Sequence, residues 1–388
     1  MKLWYDKKLW ISPRARRTVP ALARQDVRSI AVIKHAALGD LVLTRPFLIE
    51  LRRLFLNASI TLAVERGREW PWVYDDLDLA VHTAPGMNTK GAVLQGIAGP
   101  FRTLEPSGTS GDSRHDKRAF DLLFDLTATP CSFWITRLTR AKLKLGFQHR
   151  SWHRMLYDLA VPRTEYKFEA EVFLDFLHLF GHEAKWPPDF GWRDDRTDAA
   201  TERPDANRSR RAEDAPAGPV LYFPGASTQA KSWPEDSFVK LIREARARFP
   251  KYEHLIWPGT ADWERERCAR IASATGAQIL GTKSAPSSTA TAIDAAYNSQ
   301  PAHSPISIAR AARLYVGNDT GVRHVAIATD TPTIGFFRTA PPFRYTPKWG
   351  SHRALFARDG GDAGVEAGLA AMEEELGQAI PISRNTRD

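Results

Sequence analysis

Short apolar runs that stop on turn residues recur along the chain, and stretches with helical spacing separate them. SIAVIKH (29–35), ITLAV (60–64) and FDLLFDL (120–126) form the first series, and FLIELRRLF after the first run has the periodicity of a helix with one apolar side. The second half repeats the scheme. PVLYFPG (219–225), HLIW (254–257), RLYVGN (313–318) and PTIGFF (332–337) read as strands, with DSFVKLIREARARF and WERERCARIASATG as helices. Uninterrupted apolar strands alternating with helices predict parallel sheets covered on both faces, the doubly wound α/β class.

Polar stretches divide this pattern. RDDRTDAATERPDANRSRRAEDAPAG (193–218) contains no Leu, Ile, Val, Met or aromatic residue, so nothing in it fills a core and it reads as a linker or disordered insertion. EPSGTSGDSRHDKR (105–118) and KSAPSSTATA (283–292) read as surface loops. No repeat occurs at a solenoid period. The boundaries predict a basic segment over 1–28, a Rossmann-like domain over 29–192, the polar connection, and a second Rossmann-like domain over 219–388. A cleft between the two domains is then the default ligand site.

With 388 residues, 43% of them hydrophobic, the chain has ample material for two cores. Cys131 and Cys268 lie far apart without metal-ligand spacing, which predicts a reduced, cytoplasmic setting. No apolar run approaches the roughly 18 residues of a spanning helix, and MKLWYDKKLW lacks the apolar core of a secretory signal. Net charge is +9, and residues 1–28 concentrate it: Lys2, Lys7, Lys8, Arg14, Arg16, Arg17, Arg24 and Arg28 stand against Asp6 and Asp26. Trp4, Tyr5 and Trp10 lie among these charges. The mixture suits either an anionic membrane surface or a loosely ordered basic terminus. Zinc-finger spacing and RNP-like aromatic motifs are absent from the sequence, so nucleic acid is not an expected partner.

Three segments carry candidate chemistry. In HAALGDLVLTRP (35–46), Asp40 follows a strand, at the edge where open α/β sheets bind ligands; it is either a catalytic carboxylate or a helix N-cap. In VGNDTGVRHVAIATDTPTIGFF (316–337), a strand ends at Asn318, Asp319 and Thr320 offer cap chemistry, and Gly321 permits close backbone approach before a helix. Free amides and the helix dipole make an anion site there, to which Arg323 and His324 on the first turn would add charge-assisted contacts; the alternative is a plain capped helix with an exposed His. In FPGASTQAKSWPEDSF (223–238), Ser227, Thr228 and Lys231 suit phosphate oxygens, unless the segment is only a polar turn with a solvated Lys. No Walker loop occurs in the chain.

Taken together, Gly39-Asp40 with Pro46 six residues on, the PGAST…KSWP segment, and NDTGVRH followed by TPTIGFF resemble glycosyltransferase family 9, the heptosyltransferases of lipopolysaccharide inner-core assembly. The resemblance runs from about residue 29 to 350. It implies a GT-B fold, with the acceptor on the N-terminal domain and a sugar nucleotide on the C-terminal one. It also implies an inverting transfer from ADP-heptose to an anionic glycolipid, without a metal ion or other cofactor. Asp40 then matches the family's catalytic base. Ser227, Thr228 and Lys231 match diphosphate contacts, joined by Thr320 and Gly321, while Asp319 would touch sugar hydroxyls and His324 would support the same motif. An acidic residue for the nucleotide ribose would be Asp262 or Glu264. Arg323 and Arg338 depart from the family pattern beside the donor site, and the connection 193–218 is longer and more charged than the pattern suggests.

Other signals carry less. Asp76-Leu77-Asp78 matches a metal-binding DxD triplet but reads as a polar loop in this context. His149, His153 and Gly181-His182-Glu183 lack zinc spacing. Lys142, Lys144, Arg150 and Arg154 form either a solvated face or a receptor for an anionic acceptor. Two further functions fit the same elements: a sugar-nucleotide epimerase, and a nucleotide-binding protein without turnover. Asp40 argues against the second, because a pure binder needs no base there.

Overall fold

The computed structural model describes residues 9–84, 119–148, 151–164, 166–192, 218–281, 304–357, 359 and 361–377. The chain divides into two compact units, Met1–Gly191 and Trp192–Asp388. The stretches 105–118, 193–217 and 283–292 lie outside the described residues, as do His149 and Arg150.

The first unit runs β1 (Trp10–Ile11), α1 (Pro13–Ala21), β2 (Ser29–Ile33), α2 (Leu38–Val42), α3 (Arg45–Leu54), β3 (Ser59–Glu65), β4 (Ala80–Ala84), β5 (Phe120–Asp125), α4 (Pro130–Leu138), β6 (Ala141–Phe147), β7 (Leu159–Val161) and α5 (Glu169–His178). Its sheet has the order β1-β7-β6-β5-β2-β3-β4, parallel except for β1. Every residue of β2 and β5 is buried, as expected of central strands covered on both faces. Around them Phe124 meets Phe47 and Phe176 edge-on, at centroid distances of 5.3 and 6.1 Å.

Residues 1–28 do not form a separate segment throughout. Trp10 and Ile11 pair with Ala160 and Leu159, because the open edge of β7 accepts two more residues, and Ser12 then caps α1 by accepting the Ala15 N–H at 3.0 Å. Lys2, Trp4, Tyr5, Lys7 and Lys8 lie outside the described residues. The basic stretch around residue 142 begins in strand β6, where both lysines have partners. Lys142 pairs with Asp121 at 2.7 Å, and Lys144 donates to the Thr136 carbonyl at 2.6 Å near the end of α4. The DxD triplet is structural as well. Asp76 takes a two-pronged contact from the buried Arg45, both bonds at 2.7 Å, and Arg45 also donates to the Phe190 carbonyl at 2.7 Å. A guanidinium out of water needs such a counter-ion.

The second unit runs β8 (Val220–Phe223), α6 (Glu235–Arg248), β9 (His254–Ile256), α7 (Asp262–Thr275), β10 (Gln278–Ile279), α8 (Ser304–Ala311), β11 (Leu314–Asn318), α9 (Gly321–Ala328), β12 (Thr333–Phe336), α10 (Pro342–Tyr345), β13 (His352–Leu355) and α11 (Val365–Leu376). Its six strands are parallel in the order β10-β9-β8-β11-β12-β13. Trp233 lies flat on Phe336 at 3.8 Å and an interplanar angle of 4°, with Phe238 edge-on to both rings. Leu241, Ile242, Leu369 and Met372 complete that layer between the sheet and α6 and α11.

Counting parallel strands alone, both sheets have the order 3-2-1-4-5-6 of the dinucleotide-binding fold. Cys131 and Cys268 are buried free thiols. Among the described residues no helix is long and apolar enough to cross a membrane.

Candidate functional site

Strand order reverses between β2 and β5 in the first sheet and between β8 and β11 in the second. Connections there leave toward opposite faces, so the carboxyl ends of the two strands open a crevice. Each candidate segment starts at one of these two points.

In the first unit, Ile33 of β2 pairs with Asp125 of β5, and the His35 N–H donates to the Thr127 hydroxyl at 2.8 Å. Asp125 is fully buried and braces this edge. It accepts from the Thr127 and Ala128 amides, each at 3.0 Å, from the Ser132 hydroxyl at 2.8 Å and from the Tyr157 hydroxyl at 2.7 Å. Burial pushes its carboxyl above the ordinary carboxylate range. Asp40 is the third residue of α2, whose N-cap is Ala37, so the N-cap reading does not hold. Its Oδ1 is buried without a hydrogen-bond partner, while its backbone carbonyl accepts the Thr44 hydroxyl at 2.8 Å. A buried carboxylate oxygen left unpaired costs stability that a structural role would recover. His35 was not nominated by the sequence. Its ring is buried with neither nitrogen hydrogen-bonded, and burial, then His82, pushes its pKa down to about 4, so the ring is neutral. Only its place at the head of HAALGD signalled it.

In the second unit, Asn318 at the end of β11 clasps the loop that leaves β8. Its amide donates to the Pro224 and Gly225 carbonyls, each at 2.9 Å, and its carbonyl accepts the Trp233 N–H at 2.8 Å. Ser232 adds a bond to the Pro224 carbonyl at 2.9 Å. Between these anchors Ser227, Thr228 and Lys231 are exposed, with Lys231 closing the short turn Gln229–Lys231. Arg338, the departure after the Phe pair, braces the same loop from outside. It donates to the Ala230 and Ser232 carbonyls at 3.1 and 3.0 Å and pairs with Asp362 at 2.6 Å.

Thr320 occupies the N-cap position of α9 but caps nothing, since its hydroxyl lies 3.3 Å from the Tyr315 hydroxyl. The Thr320 side chain therefore accepts none of the first-turn amides starting at Gly321, and the helix dipole favours an anion there. Asp319 stands beside them, 3.8 Å from Arg323 and 3.7 Å from His324.

Arg323 and His324 do not add charge to that anion site. Arg323 is completely buried, donating to the Tyr345 carbonyl at 2.8 Å, the Thr346 hydroxyl at 3.1 Å and the Arg353 carbonyl at 3.3 Å. Residue 335 has to be Gly for this, because a Cβ there would collide with the guanidinium. His324 is buried rather than exposed, and burial, then Arg323, pushes its pKa down to about 3. A neutral ring supplies a hydrogen bond and no charge.

Asp262 and Glu264 separate clearly. Asp262 is exposed and paired with Arg265. Glu264 is buried, accepts the Ala261 N–H at 3.1 Å as the cap of α7, and sits where a Cβ on Gly225 or Gly259 would fall. Of the two, Glu264 is the one packed against the loop that carries Lys231. Among the described residues no group of His, Cys, Asp and Glu can hold a metal ion.

The model of glycosyltransferase family 9 (heptosyltransferase) matches residues 115–291 and 304–359, more than half of the chain. No curated protein matches it in sequence. Among solved structures, the E. coli heptosyltransferase WaaC with ADP is similar at a TM-score of 0.60 and 17% identity, over 89% of this chain and 99% of that one. A family 9 glycosyl transferase from Veillonella parvula gives 0.62 and 16%, over 90% and 97%. The E. coli ADP-heptose lps heptosyltransferase II gives 0.55 and 15%, over 90% and 98%.

Proposed function

The chain belongs to glycosyltransferase family 9, the heptosyltransferases, and is a glycosyltransferase of the GT-B class; from that premise we propose that it moves heptose from ADP-heptose onto an anionic glycolipid of the lipopolysaccharide inner core. Asp40 acts as the base, and no metal ion takes part. The observation that carries this reading is the unpaired, buried Oδ1 of Asp40 on a helix that the side chain does not cap.

The acceptor hydroxyl attacks the anomeric carbon from the face opposite the diphosphate, and its proton passes to the Asp40 carboxylate. The new C–O bond forms as the bond to the diphosphate oxygen breaks, so ADP leaves with the electron pair and the configuration inverts. Negative charge grows on the diphosphate during this step. Lys231, the Ser227 and Thr228 hydroxyls and the amides at Thr320 and Gly321 stabilise it, as fixed donors do for any developing anion. They supply the neutralisation that a divalent metal supplies in other transferases. Asp319 holds sugar hydroxyls, and Glu264 is the better candidate for the ribose. Basic residues in the N-terminal 28 bring the enzyme to the anionic cytoplasmic surface where such an acceptor resides.

Transfer measured by mass spectrometry, with ADP-heptose and an inner-core glycolipid, tests the reading. Appearance of the heptosylated glycolipid together with ADP is the expected result. A different sugar nucleotide that raises the melting temperature and turns over, while ADP-heptose does neither, would overturn the donor assignment.

A further inference from the structure

Helix α4 carries Trp134 and Leu138 one turn apart, 44% and 40% exposed. Residues spaced i, i+4 share a helix face. Neither α4 (PCSFWITRL) nor α1 (PRARRTVPA) contains an acidic residue. Lys144 of β6 reaches α4 by donating to the Thr136 carbonyl, and it reaches Ser12, the cap of α1, through Asp158. Burial, then Arg137 of α4, with a smaller effect from Arg14 of α1 and against the pull of Asp158, pushes its ammonium down to about 8. Arg14 on α1 and Arg137 on α4 are both exposed. Asp158 is the acidic group among them, and it accepts the Ser12 hydroxyl at 3.2 Å and the Lys144 N–H at 3.0 Å. The turn 151–155 extends the same region: His153 packs on Phe133 of α4 at 4.7 Å, Arg154 lies 5.3 Å over the Trp10 ring, and Met155 is 84% exposed.

Clustered like charges repel one another, and protruding Trp, Leu and Met tips stay in unfavourable contact with water unless something covers them. Nucleic acid offers phosphates but nothing for Leu138 and Met155. An anionic bilayer offers headgroup charge for the cations and an acyl boundary for the apolar tips within one layer. We propose that the folded face made by α1, α4 and the 151–155 turn lies on anionic phospholipid. The proposal deepens the glycolipid reading above, on which it rests for its purpose, and it adds a folded surface to the basic N-terminal residues as the anchor.

Vesicles of phosphatidylcholine, with and without phosphatidylglycerol, test it in sedimentation assays on the full chain. The intact protein should bind only vesicles containing phosphatidylglycerol, and binding should weaken as salt rises. Each cation near such a surface is worth about fivefold in partitioning, so Arg14→Gln with Arg137→Gln should lower binding roughly 30-fold. Trp134→Ala with Leu138→Ala should weaken it while keeping its salt dependence. ADP affinity and melting temperature should stay unchanged in both variants. Equal vesicle binding by parent and variants overturns the proposal, as does parent binding that ignores lipid charge, or a face-dependent dimer that binds no lipid. If the vesicle results hold but ADP-heptose is not a donor, the face stands and the donor assignment falls.

Discussion

Asn318 accepts the Trp233 N–H at 2.8 Å, joining the end of β11 to a residue 85 positions earlier in the chain. Its amide holds the Pro224 and Gly225 carbonyls on the same loop, so one side chain sets the loop that carries Lys231 against the helix that starts at Gly321. Asn318→Ala leaves several buried groups without partners. The cost should be about 3 kcal/mol, given roughly 1–3 kcal/mol for each unsatisfied group. Denaturant unfolding measures it, and ADP binding should weaken at temperatures where the variant is fully folded. Unchanged affinity would mean the loop keeps its shape without the clasp.

Lys231 is exposed, so Lys231→Ala should leave the melting temperature almost unchanged. Binding of ADP should weaken by roughly 1.5–3 kcal/mol, the range for a hydrogen bond to a charged group. Calorimetry with ADP checks this, and equal affinity would remove Lys231 from the diphosphate site.

For Asp40, the comparison is with an isosteric amide. Asp40→Asn keeps the volume and loses the ability to take a proton from an alcohol. Transfer to acceptor should fall by about 10²–10⁴-fold, the usual contribution of a positioned acid or base, with ADP affinity unchanged. Because Asp40 caps no helix, the variant should be no less stable than the parent. Full turnover by Asp40→Asn would assign the base elsewhere.

Arg323 and Gly335 form a pair that a double-mutant cycle can read. Gly335→Ala should destabilise by about 1–3 kcal/mol through overpacking against the guanidinium. In an Arg323→Met background the same change should cost less, because the flexible thioether chain yields. Additive costs in the cycle would show that the two positions do not meet.

The buried histidines set the acid limb of stability. Burial holds His35 and His254 at about 4 and His324 at about 3, below the ordinary value near 6.5. The unfolded chain therefore binds more protons than the folded one between those values. Stability is fully present above about pH 6.5 and falls as pH drops, each ring adding about 1.4 kcal/mol per pH unit. Denaturant unfolding at pH 7.5 and 5.0 should show the loss, and His324→Asn should lessen its slope by one proton. A slope that does not change in that variant would mean His324 is charged in the fold.

Hydrophobic patterning was sufficient to find the central strands β2, β3, β5, β8, β9, β11 and β12, because strands buried on both faces have to be apolar along their length. It passed over β1, β4, β6, β7, β10 and β13. These lie toward or at the sheet edges, where short length and polar residues such as Lys142 and Lys144 blur the pattern. The turn residues that end the central strands were legible for the same reason that they bind ligands: Gly, Ser, Thr and Asp leave backbone donors free at a carboxyl edge.

What each candidate side chain touches depends on contacts between distant positions. Local spacing offered Asp40 as a cap; only the placement of Ala37 ahead of it and the lack of a hydrogen-bond partner at its buried Oδ1 removed that role. Arg323 and His324 stand on a first helical turn, and the sequence therefore pointed them at an anion. Residues 335, 345, 346 and 353 draw Arg323 inward instead, and burial strips the charge from His324. Asp262 and Glu264 are equivalent as text, and a carboxylate wedged beside Gly225 distinguishes them. Residue type and periodicity determine which groups reach the sheet edge. Burial and partnership, which depend on segments far away along the chain, decide which of those groups remain available to a ligand.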